Sequence, residues 1–70
     1  MIILELYLSN FLKQLPQDVV VDLYYYDEFV DPFKYERISS NDFKKFIEDD
    51  YVVLSSISNE DGSYELEICK

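Results

Sequence analysis

The sequence is short of the residues on which much enzyme and metal chemistry depends. It has no histidine, one cysteine and one glycine. Without histidine, the usual general base is missing, as are the Ser-His and Cys-His pairs of nucleophilic catalysis. Cys69 has no partner for an internal disulfide, and a zinc site of the Cys/His type cannot be assembled. We therefore expect no enzyme activity, no metal site and no cofactor.

A long hydrophobic run is also missing. The apolar segment 1–8 is interrupted by Glu5, is too short to span a bilayer and lacks the basic leader of a signal peptide. These features favour a cytoplasmic protein without a membrane partner.

The length and the apolar content predict one small folded domain, residues 1–70. A hydrophobic content of 49% and an aromatic content of 17% argue against intrinsic disorder. One glycine and two prolines leave little material for loops, so most of the chain should lie in helices and strands.

Negative charge is in large excess. Fifteen acids face six bases, which gives a net charge of −9. The acids are distributed along the whole chain, so the charge belongs to the folded surface rather than to a tail. Such a surface repels nucleic acid and anionic membranes and attracts basic proteins. Solubility is the alternative explanation, but the charge exceeds the ~2–8 that suffices for a small domain.

The stretch Val19–Tyr26 is the strongest strand signal in the chain, because it consists mainly of valine and tyrosine. Its two faces are Val19, Val21, Leu23 and Tyr25, and Val20, Asp22, Tyr24 and Tyr26. Two largely apolar faces predict a strand in the middle of a sheet. Tyr25 is the best core candidate, whereas the face with Asp22 suits a partly wet surface or a partner.

Two interpretations fit the N-terminal segment. Helical spacing predicts one helix over residues 3–15, ended by Pro16, with an apolar stripe of Leu4, Leu8, Phe11, Leu12 and Leu15. Alternation predicts instead a short first strand, with Ile2, Leu4, Leu6 and Leu8 on one face, followed by a helix capped by Ser9. We prefer the single helix.

The middle of the chain predicts a loop, a strand and a second helix. We expect a loop over Asp27–Pro32, then an edge strand over residues 33–38 that pairs antiparallel with Val19–Tyr26. Ser39–Asp42 has the small polar residues of a helix start. The expected buried face of that helix is Phe43, Phe46 and Ile47. Its C-terminal end is followed by Glu48–Asp50, whose charges disfavour continuation.

The last third predicts a hairpin. Tyr51–Ser58 is the first strand, with Val53, Ser55 and Ile57 on one face, and Gly62 supplies the positive φ of the turn. In the second strand Tyr64, Leu66 and Ile68 alternate with Glu65, Glu67 and Cys69. The order α-β-β-α-β-β thus predicts a single α+β domain, an antiparallel sheet with two helices on one face.

The clustered carboxylates carry little catalytic or metal signal. Asp27, Glu28 and Asp31 could hold a divalent cation through oxygen ligands, but no calcium-loop spacing is present and a solvated loop is favoured.

The runs Phe11–Asp18 and Val21–Tyr24, with the Asp61-Gly62 turn, resemble small acidic proteins of phages and mobile elements in low-GC bacteria. The motifs are short. The resemblance implies a role in interaction with the bacterial host, in its cytoplasm, and suggests an anti-CRISPR-like inhibitor. It identifies neither a target nor functional residues.

The charge leads to two functional hypotheses. The first is a non-enzymatic inhibitor that imitates nucleic acid, without binding nucleic acid directly, and occupies the basic channel of a nucleic-acid-binding protein, for example a CRISPR effector. The alternative is a small structural or regulatory interaction module, such as a homodimer that extends a marginal core. The expected partner-binding residues are Asp22, Tyr24, Tyr26, Asp27, Glu28, Asp31, Glu48, Asp49, Asp50, Glu60 and Asp61.

Overall fold

A four-stranded sheet and two short helices form the part of the chain that the computed structural model describes, residues 6–27 and 30–70. For Asp27, Val30, Asp31 and Phe33 the description covers the backbone alone. The elements are α1 (Leu8–Gln14), β1 (Val20–Asp27), β2 (Val30–Ser39), a 3₁₀ helix (Ser40–Phe46), β3 (Val52–Ser58) and β4 (Tyr64–Cys69). The predicted order of helices and strands is recovered in part, because the second helix is 3₁₀ rather than α.

The sheet is mixed, with the strand order β2-β1-β4-β3. β1 pairs antiparallel with β2 and parallel with β4, and β3 pairs antiparallel with β4. The central position predicted for Val19–Tyr26 is confirmed, but the all-antiparallel sheet is wrong. The reason is the connection between the hairpins. The segment from the 3₁₀ helix to Tyr51 crosses the sheet from one end to the other, so β2 and β3 run in the same direction and β4 runs parallel to β1.

The core lies between one face of the sheet and the two helices, as predicted. It consists of Leu8, Leu12, Val21, Leu23, Tyr25, Phe46, Leu66 and Ile68. Six of these side chains are fully buried, and they come from α1, β1 and β4. The apolar alternation predicted for β1 and β4 is therefore what positions the sheet against the helices.

The helix α1 begins later than the single-helix interpretation predicts. Leu6 and Tyr7 are not helical, and Tyr7 bridges to Val52 in antiparallel fashion. The Val53 N–H donates to the Leu6 carbonyl at 2.8 Å. For these two residues the strand-like alternative is the better one, although Tyr7 rather than Ser9 occupies the N-cap. The interpretations of Ile2 and Leu4 lie outside the described residues.

The C-terminal end of α1 confirms the prediction made from Pro16. The helix ends at Gln14, and Leu15 is extended with φ −77° and ψ 154°. The residue before a proline is pushed out of the α region by contact with the proline ring.

The 3₁₀ helix begins where the polar residues predicted a helix start. The Ser39 side chain accepts from the Asn41 N–H, and the Asp42 carboxylate accepts from the Ser39 N–H at 3.1 Å. With three residues per turn, the positions i and i+3 share a face. Phe43 and Phe46 accordingly contact the core, but Ile47 is 60% exposed, so its predicted burial is wrong.

The hairpin between β1 and β2 is tighter than the predicted loop Asp27–Pro32. Asp27 pairs with Val30, and Asp31 and Pro32 lie within β2, so the loop prediction is wrong for these residues. A proline is tolerated there because β2 is an outer strand and an outer strand has one side without ladder bonds. Glu28 lies outside the described residues.

A β-bulge changes which side chains of β3 share a face. Val53 pairs with Ile68, but the next pair is Ser55 with Glu67, which leaves Leu54 as the additional residue. Val53 therefore packs against the core, whereas Ser55 and Ile57 lie on the opposite face, so the predicted shared face is wrong. The β3–β4 turn is as predicted, with Gly62 at φ 91°.

Candidate protein-binding face

The face of the sheet opposite the helices carries Tyr24 and Tyr26, the two tyrosines predicted to bind a partner, together with several acids. We call this surface the open face and define it by residues on all four strands: Asp22, Tyr24 and Tyr26 on β1, Tyr35 and Arg37 on β2, Ser55 and Ile57 on β3, and Glu65 and Glu67 on β4. These residues meet because strand alternation directs them away from the core. Within residues 6–27 and 30–70, neither helix covers this face.

Asp22 is already engaged inside the protein. It is 8% exposed and accepts hydrogen bonds from Arg37 Nε at 2.8 Å and from Tyr35 Oη at 2.7 Å. The hydrogen bond from Arg37 is the main reason why the pKa of Asp22 lies below its usual value, against the opposing effect of burial. Asp22 thus holds Arg37 and Tyr35 in place on the open face, and its own charge is not presented to a partner.

Two tyrosines of the open face, Tyr24 and Tyr35, form a small cluster beside that ion pair. The rings of Tyr24 and Tyr35 lie 5.2 Å apart at their centroids with an angle of 42°. The Tyr24 hydroxyl donates to Glu65 Oε1 at 3.3 Å, and Tyr35 is 52% exposed. Partly exposed rings held by neighbours are well suited to contact another protein, because little side-chain entropy remains to be lost.

A groove on the open face lies over β4, between the side chains of β1 and those of β3. It has a volume of about 260 Å³ and is lined by Tyr24, Tyr26, Pro32, Ser55, Ile57, Glu65 and Glu67. Hydrogen bonds from the Ser55 and Tyr26 hydroxyls to Glu67 lower the pKa of that carboxyl. Its negative charge is therefore favoured at neutral pH. The groove combines carboxylates with aromatic and aliphatic walls.

The neighbouring acids Glu48, Asp49 and Asp50 have different roles. Glu48 is exposed, and Asp49 pairs with Lys70, whose ammonium lies 4.5 Å from the centroid of the Tyr51 ring. Asp50 accepts hydrogen bonds from the Ser9 N–H at 3.0 Å, from the Ser9 hydroxyl and from the Tyr51 N–H. It therefore caps the first turn of α1, a role that the sequence did not reveal because the cap comes from a distant part of the chain.

The two acids of the β3–β4 turn lie on the surface. Glu60 and Asp61 are exposed. Asp61 accepts from the Ser63 hydroxyl at 2.7 Å and from the Ser63 N–H at 3.0 Å, and these bonds lower its pKa. Asp61 also lines a second pocket, of about 400 Å³, with Asp18 and Arg37. Of the remaining predicted residues, Asp27 and Asp31 are described by their backbone, and Glu28 lies outside the described residues.

Ion pairs neutralise few of these acids. In the described ranges they join Arg37 to Asp22, Lys45 to Asp42 and Lys70 to Asp49. Lys34 lies on the core side of the sheet, 4.7 Å from the centroid of the Tyr25 ring. Six bases cannot balance fifteen acids, so the surface remains strongly negative.

Sequence reasoning missed the groove residues Ser55, Ile57, Glu65 and Glu67 as a site. The alternation in β4 placed the two glutamates together on one face, but only the parallel pairing with β1 brings them beside Tyr24 and Tyr26. The bulge at Leu54 then adds Ser55 and Ile57. Neither feature has a signal in the sequence.

The described residues, 6–27 and 30–70, contain no cluster of three or more Cys, Asp and Glu side chains placed to hold a metal ion. None of their helices is long and apolar enough to cross a membrane. Comparisons with protein-family models, curated proteins and solved structures find no significant match.

Proposed function

We propose that this chain is a non-enzymatic inhibitor that occupies the basic channel of a nucleic-acid-binding protein. The observation that carries the proposal is the open face, where Glu65 and Glu67 lie among tyrosines and the basic residue Arg37 is already paired with Asp22. This surface has the opposite charge to a channel lined by lysine and arginine.

The physical basis is electrostatic complementarity on a rigid support. The carboxylates of Glu65 and Glu67 keep fixed positions, because β4 is hydrogen-bonded to β1 and packed against the core. Association with a basic channel is then fast and salt-sensitive. A CRISPR effector, which holds a guide–target duplex in a positively charged channel, is one partner of this kind.

The test is competition with nucleic acid. Nucleic-acid-binding proteins retained by the immobilised chain and eluted with a salt gradient are purified and titrated with the chain in the presence and absence of duplex. We expect the chain and the duplex to exclude each other. A ternary complex, or binding that duplex does not weaken, contradicts the proposal.

Neutralising a set of exposed acids tests the role of surface charge in binding. We expect neutralisation of Glu48, Asp49, Glu60 and Asp61 as amides to weaken binding by about tenfold or more, because each charge contributes to the attraction. Asp50 is left unchanged, since its removal would also affect α1. Binding that is equal for this variant and the wild type speaks against the proposed charge complementarity.

The second candidate is a homodimeric structural or regulatory module, which the composition of β3 favours. β3 is an outer strand of the described sheet and has no charged residue, and its Leu54 and Ile57 are 55% and 56% exposed. Outer strands are normally protected by charge. Sedimentation at low and high salt distinguishes the two candidates: a stable dimer that buries the open face contradicts the inhibitor.

A further inference from the structure

We propose that the groove on the open face receives an arginine side chain of the partner protein. Its guanidinium would lie between the carboxylates of Glu65 and Glu67, and its aliphatic stem along Tyr24 and Ile57. This inference rests on the proposed function and deepens it by naming the group that the face recognises.

The groove has the layout that such a side chain requires. β4 supplies Glu65 and Glu67 between the aromatic residues of β1 and the aliphatic Ile57 of β3. The carboxylates are positioned by hydroxyl groups, from Tyr24 on Glu65 and from Ser55 and Tyr26 on Glu67. A carboxylate has about four lone-pair sites, so each retains capacity for further donors.

The charge of the groove favours a cation. Glu65 and Glu67 lie two residues apart on the same face of β4, and the described residues that line the groove include no lysine or arginine. Arg37, the basic residue among those that define the open face, is held by Asp22 at 2.8 Å. A cation from outside relieves the repulsion between the two glutamates, whereas an anion or a neutral apolar group does not.

The geometry favours arginine over lysine. A guanidinium is planar, donates to two acceptors at once and stacks on aromatic rings, and it is less strongly hydrated than an ammonium. Tyr24 and Tyr26 provide the rings, and the glutamates provide the acceptors. A basic nucleic-acid channel offers such side chains in number.

The experiment is an NMR titration of the full ¹⁵N-labelled chain with three blocked tripeptides, Gly-Arg-Gly, Gly-Lys-Gly and Gly-citrulline-Gly. We expect the arginine peptide to shift the amide signals of Tyr24, Ser55, Glu65 and Glu67 and to bind more tightly than the other two. Equal binding of the citrulline or the lysine peptide, or shifts confined to other parts of the chain, would overturn the inference.

Two charge-matched variants separate the groove from the general negative field. We expect E65Q/E67Q to weaken binding of the arginine peptide by about tenfold. D18N/E36Q removes two charges outside the groove and keeps the acceptor oxygens for Asn41 and Tyr25, so we expect it to change binding by less than about twofold. An equal effect of both variants contradicts the inference. If E65Q/E67Q loses its dispersed spectrum, the single variant Glu67→Gln, which retains an acceptor for Ser55, is compared with the single variant Asp18→Asn.

The two proposals can fail separately. If a purified nucleic-acid-binding partner binds E65Q/E67Q as tightly as the wild type and duplex still displaces the chain from it, the groove inference is wrong. The proposed function then rests on the exposed acids outside the groove. If the arginine peptide occupies the groove but duplex never competes with a bound partner, the proposed function is wrong and the groove remains an arginine site.

Discussion

At the scale of single residues, Asp22 shows how a charge can serve the fold rather than a partner. It lies on the central strand, is 8% exposed and holds both Arg37 and Tyr35 of the neighbouring strand. The sequence predicted its face but not its partners, because the register of β1 against β2 decides which side chains lie opposite each other. Its role in the candidate site is therefore to hold Arg37 and Tyr35, not to contact a partner.

The pH dependence of stability tests this role of Asp22. Its pKa is lower in the folded protein than the value of about 3.9 in an unfolded chain. The ion pair thus contributes stability that is fully present above that value and is lost as the pH falls through the lower, folded pKa. We expect Asp22→Asn to be less stable than the wild type at pH 7 in urea unfolding, and the difference to shrink below about pH 4.

Arg37→Gln removes the other partner of the same pair and provides the control. Its difference from the wild type should follow the same dependence on pH, because the lowered pKa of Asp22 requires Arg37. A stability difference that is independent of pH for both variants contradicts the role assigned to the pair.

At the scale of elements, α1 depends on a cap that is remote in sequence. Its N-cap residue, Tyr7, makes no side-chain capping bond, and Asp50 accepts from the Ser9 N–H instead. We expect Asp50→Ala to lower the free energy of unfolding by about 1–2 kcal/mol, as for the loss of a helix cap. Thermal or urea unfolding measures the change.

Glu48→Ala is the matched control, since it removes the same charge from an exposed position two residues away. We expect it to alter stability by less than about 0.5 kcal/mol. If both variants lose equal stability, the effect comes from net charge and not from capping.

The elements also show which features of the fold local sequence patterns predict and which they do not. The strand alternation of Val19–Tyr26 and of Tyr64–Cys69, the stop at Pro16 and the turn at Gly62 follow from local chemistry, and each was predicted. The parallel pairing of β1 with β4 and the bulge at Leu54 depend on contacts between distant segments. The acidic character of the site could thus be predicted, but the groove that gathers Tyr24, Glu65 and Glu67 could not.

At the scale of the whole molecule, the core is small and each buried side chain matters. A chain of this length has a stability of about 4–10 kcal/mol at typical values per residue. We expect Leu66→Ala, at a fully buried position, to lower the free energy of unfolding by about 2–5 kcal/mol. Leu54→Ala, at a 55% exposed position, should change it by less than about 0.5 kcal/mol in the same urea titration.

The charge of the whole molecule determines what it can bind. Fifteen acids on a single small fold create a negative field that the six bases do not cancel, and the open face adds rings and carboxylates in fixed positions. The proposed attraction to a basic channel should weaken as salt screens that field. Binding by apolar contact alone would lack this dependence.

The most direct measurement is the affinity of the chain for a purified nucleic-acid-binding partner as salt rises from about 50 to about 200 mM, with and without competing duplex. We expect the affinity to fall by about tenfold or more over this range and duplex to displace the chain. An affinity that salt leaves unchanged, or a stable complex of partner, duplex and chain together, would contradict the account.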